Sequence, residues 1–361
     1  MKLAIAGLPG SGKSTLFAAL SGLAPAPPGQ PPSAKRVPAA VKVPDPRLET
    51  LRGMFKPQKY TPADLEFSDF PGIPTAEIKG KGELLGAMRE AEALVVCLRG
   101  FEEASYPYAR PAADPVADLK ALLDEFQLAD LAVLEKRLDR LRRDVTKPSR
   151  TQDADKKELA ILEQVNKVME EKGTLRGMPL KPEEDALIRP YGFLTMKTLL
   201  VILSLPEGGQ SDPVWTKSLE SLGFKAVGIQ AKIEAEIGAL APEERVSFLK
   251  DYGITEPASA RLIRAAYETL GLISFFTMGE DEVRAWTIRK GDTAVIAAGK
   301  IHSDIAKGFV RAETISYEDF RVAGTLAEGR NKGTLRLEGK DYPMRDGDCV
   351  NFRFTPPGAK A

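Results

Sequence analysis

The run GLPGSGKS, Gly7 to Ser14, lies between an apolar stretch, KLAIA, and a segment of helical character from Ser14 to Leu20. It constrains the fold more than any other part of the chain. The pattern G-x-x-x-x-G-K-[ST] works only as strand, tight turn and helix. Its glycines let backbone N–H groups converge on phosphate oxygens at a helix N-terminus. Its lysine reaches the β- and γ-phosphates, and its hydroxyl ligates Mg²⁺. Gly7, Pro9, Gly10, Ser11, Gly12, Lys13, Ser14 and Thr15 are therefore candidate nucleotide-binding residues. Lys13 is also a candidate catalytic cation, and Ser14 a candidate metal ligand.

Two further elements extend the pattern. DLEFSDFPGI (Asp64 to Ile73) reads as a strand ending in D-x-x-G. Asp69 would hold Mg²⁺ through water and the Gly72 N–H would sense the γ-phosphate. Ile73 follows, where many GTPases place a glutamine that orients the attacking water, and isoleucine cannot make that hydrogen bond. Hydrolysis then needs another group, a partner, or a slow rate. ALVVCLRGF (Ala93 to Phe101) and TLLVILS (Thr198 to Ser204) are apolar enough for strands buried on both faces. Strands alternating with helices predict an α/β fold with a parallel-type sheet. Ser204, Leu205 and Glu207 follow the strand that carries N-K-x-D in GTPases. With serine for asparagine and glutamate for aspartate, the choice between adenine and guanine stays open. Ala231 and Lys232, where KAVGIQAKIEAEI passes from strand to helix, complete the candidate nucleotide-binding set.

Between them the texture changes. From Asp114 to Gly173 the chain is charged and helical. Val116, Leu119, Leu123 and Phe126, then Leu134, Leu138, Leu141 and Val145, repeat at three and four residues, an apolar seam of coiled-coil type. TKPSRTQD breaks it, and a second helix runs to Lys172, predicting an antiparallel hairpin inserted into the α/β domain. The boundaries are 1–112 and 191–274 for the α/β domain, 113–190 for the hairpin and 275–361 for a small β-rich closing domain. Lys136, Arg137, Arg140, Arg142, Arg143, Lys147 and Arg150 cluster towards the hairpin tip. A solvated helix face accounts for them, and so does a phosphate-contacting patch for RNA. The proline-dense stretch Ala24 to Ala40 suits a surface loop or a nucleotide-sensing segment.

Composition narrows the chemistry. The 361 residues carry zero formal net charge, two cysteines and one histidine. Cys97 and Cys349 lack metal-ligand spacing, which predicts a reduced compartment. A single histidine, His302, argues against a histidine-based metal site or a Ser-His-Asp triad, and a lone histidine is more often structural. The start does not read as a signal peptide, and no apolar run approaches the roughly 20 residues that span a bilayer. A cytoplasmic monomer without membrane contact is the expectation. A small-molecule kinase and a nucleotide-binding scaffold with negligible hydrolysis remain as alternative functions.

Several stretches together resemble the YchF/Obg-like ATPases, a branch of the translation-factor-related P-loop GTPases. They are GLPGSGKSTLF, VPDPRLETL, DFPGI, EVRAWTI, GKIHSDIAKGFVRAETISYEDF and RLEGKDYPMRDGDCVNFRF. The resemblance covers nearly the whole chain. It implies a P-loop G domain, an inserted helical hairpin and a C-terminal β-grasp-like TGS domain. It also implies slow Mg²⁺-dependent hydrolysis of ATP or GTP and association with the ribosome or RNA through the hairpin and TGS domain. The chain departs from the family pattern in four places, one of them a shortened glycine-rich segment after Gly82, downstream of D-x-x-G. Gly10-Ser11 replaces Asn-Val, Ser204 replaces the asparagine of N-x-x-E, and the metal-ligating threonine of switch I aligns with Ser33.

Overall fold

The computed structural model describes residues 1–23, 37–103, 108, 110–240, 244, 247–249 and 256–356. Ser33 and the stretch 24–36 lie outside them. The chain forms two compact units, one of Lys2–Ala39 and Glu66–Ser259, the other of Met1, Ala40–Leu65 and Ala260–Ala361.

The first unit is built on a six-stranded sheet of order β2-β4-β1-β5-β6-β7. The strands are β1 (Lys2–Ala6), β2 (Val37–Lys42), β4 (Asp64–Asp69), β5 (Ala93–Arg99), β6 (Thr198–Ser204) and β7 (Ala226–Ile229). β1 pairs in parallel with β4 and β5, β5 with β6, and β6 with β7. β5 is buried along its whole length, as its unbroken apolar run requires. The proline-dense stretch does not end in loop. Its last residues, from Val37, begin β2, where the prolines thin out and Ala39, Ala40 and Val41 can join a ladder.

The helices of this unit are α1 (Lys13–Ser21), α3 (Lys81–Met88), α4 (Pro115–Asp144), α5 (Gln152–Lys172), α6 (Pro182–Ile188), α7 (Pro213–Ser221) and α8 (Ala231–Ala239). α4 starts on a proline capped by Asp114, which accepts from Ala117 N–H. α5 ends on Gly173 at φ 67°, a left-handed cap that glycine adopts without cost. The apolar stripe of α4 serves two cores. Leu119, Leu122 and Phe126 pack against the sheet with Leu94, Val96 and Leu98. Leu134, Leu138 and Leu141 pack against Ile161, Leu162, Val165 and Met169 of α5 and against Ile188 and Phe193.

Asp130 stands at the changeover and is completely buried. Its carboxylate accepts from Leu194 N–H at 3.0 Å, from Thr195 N–H and hydroxyl at 2.8 Å each, and from the Arg89 guanidinium. Further along, the predicted basic cluster is partly neutralised. Arg137 pairs with Glu158 at 2.7 Å, Arg142 with Glu163 at 3.4 Å and Arg140 with Asp144 at 3.4 Å. Lys136, Lys147 and Arg150 are exposed.

The second unit is a six-stranded mixed sheet of order β11-β10-β12-β8-β9-β3. Its strands are β3 (Lys59–Thr61), β8 (Leu272–Thr277), β9 (Glu282–Arg289), β10 (Phe309–Ser316), β11 (Arg336–Glu338) and β12 (Asp348–Phe354). β3 comes from far earlier in the chain and pairs in parallel with β9. Helix α2 (Pro46–Phe55) accompanies it, and Arg47 fastens that segment. Its guanidinium pairs with Asp45 and Asp346 at 2.8 and 2.7 Å and lies over the Phe276 ring. Within the closing domain, expected to be β-rich, the stretch DTAVIAAGKIH forms a helix over Ala294–Ile301. Ala294, Ala297 and Ala298 are fully buried, which is a helical spacing. His302 caps the next short helix, its Nδ1 accepting from Asp304 N–H at 3.2 Å.

One carboxylate organises the outer face of this sheet. Glu313 is 3% exposed and accepts from Arg353 and Arg330 at 2.8 Å each and from Asn351 at 2.9 Å. Arg353, with Asn351 and Arg330, holds its carboxyl below the ordinary value despite burial. A carboxylate held low contributes stability that is present above its unfolded value and lost as pH falls through the folded one. Glu313→Gln should therefore lower the thermal midpoint at pH 7 by about 2–4 °C. The gap to the parent should narrow in melts as pH falls below the ordinary glutamate value of about 4.3, because the unfolded chain takes up the proton first. A gap that stays constant down to pH 3 would refute this account.

Candidate functional site

The P-loop leaves β1 and closes a turn in which Ser11 N–H donates to Leu8 carbonyl at 3.2 Å. Gly10 and Gly12 take φ of 77° and 91°, left-handed values that glycine tolerates. α1 begins at Lys13, so the first N–H groups of its opening turn have no partner within the helix and face the loop. Gly7 has no room for a side chain: a Cβ there would sit 2.5 Å from Cys97 carbonyl.

Lys13 is 7% exposed, and its Nζ lies 3.5 Å from Leu8 carbonyl, the outer limit of a hydrogen bond. Burial lowers its pKa, against the attraction of Asp69. Asp69 ends β4. Burial raises its pKa, while a hydrogen bond from Ser14 and the charge of Lys13 oppose the rise. Its Oδ1 is buried and has no hydrogen-bond partner among the described residues. Lys13, Ser14 and Asp69 therefore converge.

The second motif touches the first directly. A Cβ on Gly72 would lie 2.6 Å from Pro9 N, and Ile73 N–H donates to Gly7 carbonyl at 2.9 Å. The Ile73 side chain is completely buried in the sheet core, so it packs and presents nothing to a water molecule. Pro9 and Gly10 are exposed at the mouth of the loop, and Thr15 is half-buried behind it.

Ser204 ends β6 against the P-loop, so that a Cβ on Gly12 would meet its Oγ at 2.7 Å. Leu205 is buried and its N–H donates to Ile229 carbonyl at 2.8 Å. Glu207 is exposed on the loop that follows. That loop is stitched to the start of α8 by Gln230, which accepts from Gly208 N–H at 3.0 Å and donates to Gly209 carbonyl at 3.2 Å. Gln230 thus brings Ser204–Glu207 and Ala231–Lys232 to one rim. Ala231 is buried and Lys232 exposed.

Sequence reasoning missed Gln230 and two residues of β5. The Cys97 thiol, pushed up to about 12 by burial, stays protonated and donates to Ser11 carbonyl at 3.3 Å. Arg99 donates to Gly10 carbonyl at 3.0 Å. Nothing in the local pattern marks an arginine at the end of a buried strand as a loop contact. The available signal was its place two residues after Cys97, on the same strand face.

Among the described residues, no group of three or more histidine, cysteine, aspartate or glutamate side chains could hold a metal. Mg²⁺ does not need one, since it binds through one or two protein oxygens together with phosphates and water. The orphaned Asp69 oxygen and the Ser14 hydroxyl are hard oxygen donors of that kind.

Comparison with known proteins agrees with this geometry. Residues 2–136 match the family model described as a 50S ribosome-binding GTPase, and residues 272–355 match the C-terminal YchF-GTPase model, described as a protein of unknown function. The ribosome-binding ATPase YchF of Escherichia coli O157:H7 is 40% identical over 98% of this chain and 99% of its own. That of Bacillus subtilis (strain 168) is 37% identical over 97% and 98%. The structure of the Schizosaccharomyces pombe YchF GTPase matches with a TM-score of 0.79 at 30% identity, over 98% of this chain and 97% of that one. A P-loop joined to D-x-x-G on a parallel sheet, together with full-length identity of this order, establishes that the chain belongs to the YchF family.

Proposed function

We propose that this chain is a Mg²⁺-dependent P-loop nucleoside triphosphatase that acts at the ribosome. The observation that carries the reading is the convergence of Lys13, Ser14 and Asp69 at the start of α1, whose first-turn N–H groups have no partner within the helix. Gly7–Thr15 would cradle the phosphates, with Lys13 neutralising the β- and γ-oxygens. Ser14 and Asp69 would hold Mg²⁺, which when bound neutralises charge developing on the phosphates. Gly72 N–H would report the γ-phosphate, and Gly72 lies against Pro9, so that report would reach the P-loop. Ser204, Leu205, Glu207, Ala231 and Lys232 would border the base. The relatives from E. coli and B. subtilis are named ribosome-binding ATPases, and that supports a ribosomal partner. The exposed Lys136, Lys147 and Arg150 near the end of the hairpin are suited to RNA phosphates.

Ile73 makes slow turnover the expected behaviour, because its side chain is buried and cannot position water. Calorimetric titration with ATP and GTP in parallel, each with and without Mg²⁺, tests the binding half. One-site binding of at least one triphosphate, weakened when Mg²⁺ is removed, is expected. Phosphate release measured with and without ribosomes tests the other half, with faster release expected in their presence. A chain that binds neither triphosphate is not an NTPase. A chain that binds but never releases phosphate is a scaffold.

A further inference from the structure

This inference rests on the nucleotide reading above and concerns how β5 shapes the loop. Cys97 and Arg99 are two residues apart and project from the same face of β5, opposite Leu94, Val96 and Leu98. Each grips a carbonyl of the P-loop, and the carbonyls are consecutive. Arg99 Nη1 donates to Gly10 carbonyl at 3.0 Å and Cys97 Sγ to Ser11 carbonyl at 3.3 Å. A trans peptide points its N–H opposite to its carbonyl. Holding the Gly10 carbonyl against β5 therefore turns the Ser11 N–H towards the Leu8 carbonyl, 3.2 Å away, and holding the Ser11 carbonyl fixes where the Gly12 N–H points.

Arg99 is built to stay in place. It is 2% exposed, and Nε and Nη2 donate to Phe101 and Glu103 carbonyls, each at 3.1 Å. Its guanidinium lies 4.4 Å from the Phe101 ring centre and 4.5 Å from that of Tyr108. The Tyr108 hydroxyl in turn donates to Asp118 of α4. A guanidinium, with donors fixed in a plane, can hold three carbonyls in different directions where a lysine cannot. Gly10 sits at φ 77°, a conformation the backbone leaves readily without such a hold.

We propose that Arg99 is a positioning residue that preorganises the phosphate-binding loop by locking the Gly10 carbonyl to β5. It acts through the loop backbone, so its effect belongs to phosphate binding whatever the base.

The test compares the parent with Arg99→Met and Arg99→Lys, using ATP and inorganic tripolyphosphate as probes. Folding of each variant is checked by circular dichroism. Arg99→Met is expected to weaken both probes by the same factor, about tenfold or more, which is what one charge-assisted bond supplies. Arg99→Lys, which keeps the charge but not the fork, should lose about threefold or more. If Arg99→Met does not fold, Arg99→Lys decides. A folded variant that binds both probes within twofold of the parent overturns the proposal. So does a loss seen with ATP but not with tripolyphosphate, which would place Arg99 on the base side. A parent that binds neither probe overturns the nucleotide reading itself, and this inference with it.

Discussion

Replacing Lys13 with alanine is expected to weaken ATP binding about a hundredfold or more while leaving the ligand-free protein as stable as the parent. The two halves have one cause. Among the described residues, the nearly buried ammonium has one hydrogen-bond acceptor, the Leu8 carbonyl at 3.5 Å. Burial lowers its pKa, which shows that the charged form is held at a cost, and Asp69 offsets only part of that cost. Removing the side chain relieves that cost and loses one marginal hydrogen bond. With triphosphate bound, the same ammonium gains charge-assisted bonds to phosphate oxygens, each contributing about 1.5–3 kcal/mol. Two such bonds lost are several kcal/mol, and about 2.7 kcal/mol is already a hundredfold. Calorimetry with ATP and a thermal melt without ligand measure the two quantities separately. If Lys13 were only a packing residue, the melt would fall and the affinity would hold. ATP binding within threefold of the parent would remove the basis of the nucleotide reading.

The parts of this site that the sequence announces are those whose chemistry forces a local pattern. Gly7, Gly12, Lys13 and Ser14 must lie close together because the loop is short, and Asp69 must end the neighbouring strand to reach them. The hairpin is legible for the same reason: the apolar periodicity from Leu119 to Leu141 and the stop at Gly173 are local. Residues that act across long sequence distances leave no such trace. Arg99, Asp130 and Glu313 are charged, and a charged residue read alone belongs on the surface. Each is instead buried by partners up to 89 positions away, the separation of Arg99 from Gly10. β3 is a three-residue strand, too short to show alternation, and its pairing with β9, together with the contacts of Arg47 to Asp346 and Phe276, joins 40–65 to the C-terminal unit. The Ala294–Ile301 helix shows only a weak alanine period, and the Gly-Asp pair before it suits a turn between strands equally well. The coiled-coil reading of α4 took its stripe as one seam. The structure divides the stripe between a sheet core and a helix core.

That division gives the second large effect. Asp130→Ala is expected to destabilise the nucleotide-binding unit by about 3–5 kcal/mol, the range for breaking a buried charge pair from one side. The loss has two parts. The Arg89 guanidinium, held also by Ala129 carbonyl at 2.9 Å, is left without its carboxylate. The Leu194 and Thr195 N–H groups, which precede β6, are left unpaired in the interior. An unfolding shift of roughly 10 °C follows from that magnitude for a unit of this size. Arg89→Met combined with Asp130→Leu separates the parts. It replaces the charge pair with apolar volume, which is often neutral or better, but does nothing for the two N–H groups. The double variant should therefore recover part of the loss and stop about 1–3 kcal/mol short of the parent. Full recovery would mean that the N–H groups find water and that Asp130 matters only as Arg89's counter-ion. No recovery would mean that the carboxylate's backbone contacts carry the whole effect. Asp130 lies where α4 leaves the sheet core for the hairpin, so the same residue fixes the base from which the hairpin projects. ATP affinity of the folded single variant should change little, because its contacts are to Arg89, just after α3, and to Leu194 and Thr195 on the approach to β6 rather than to the phosphate loop.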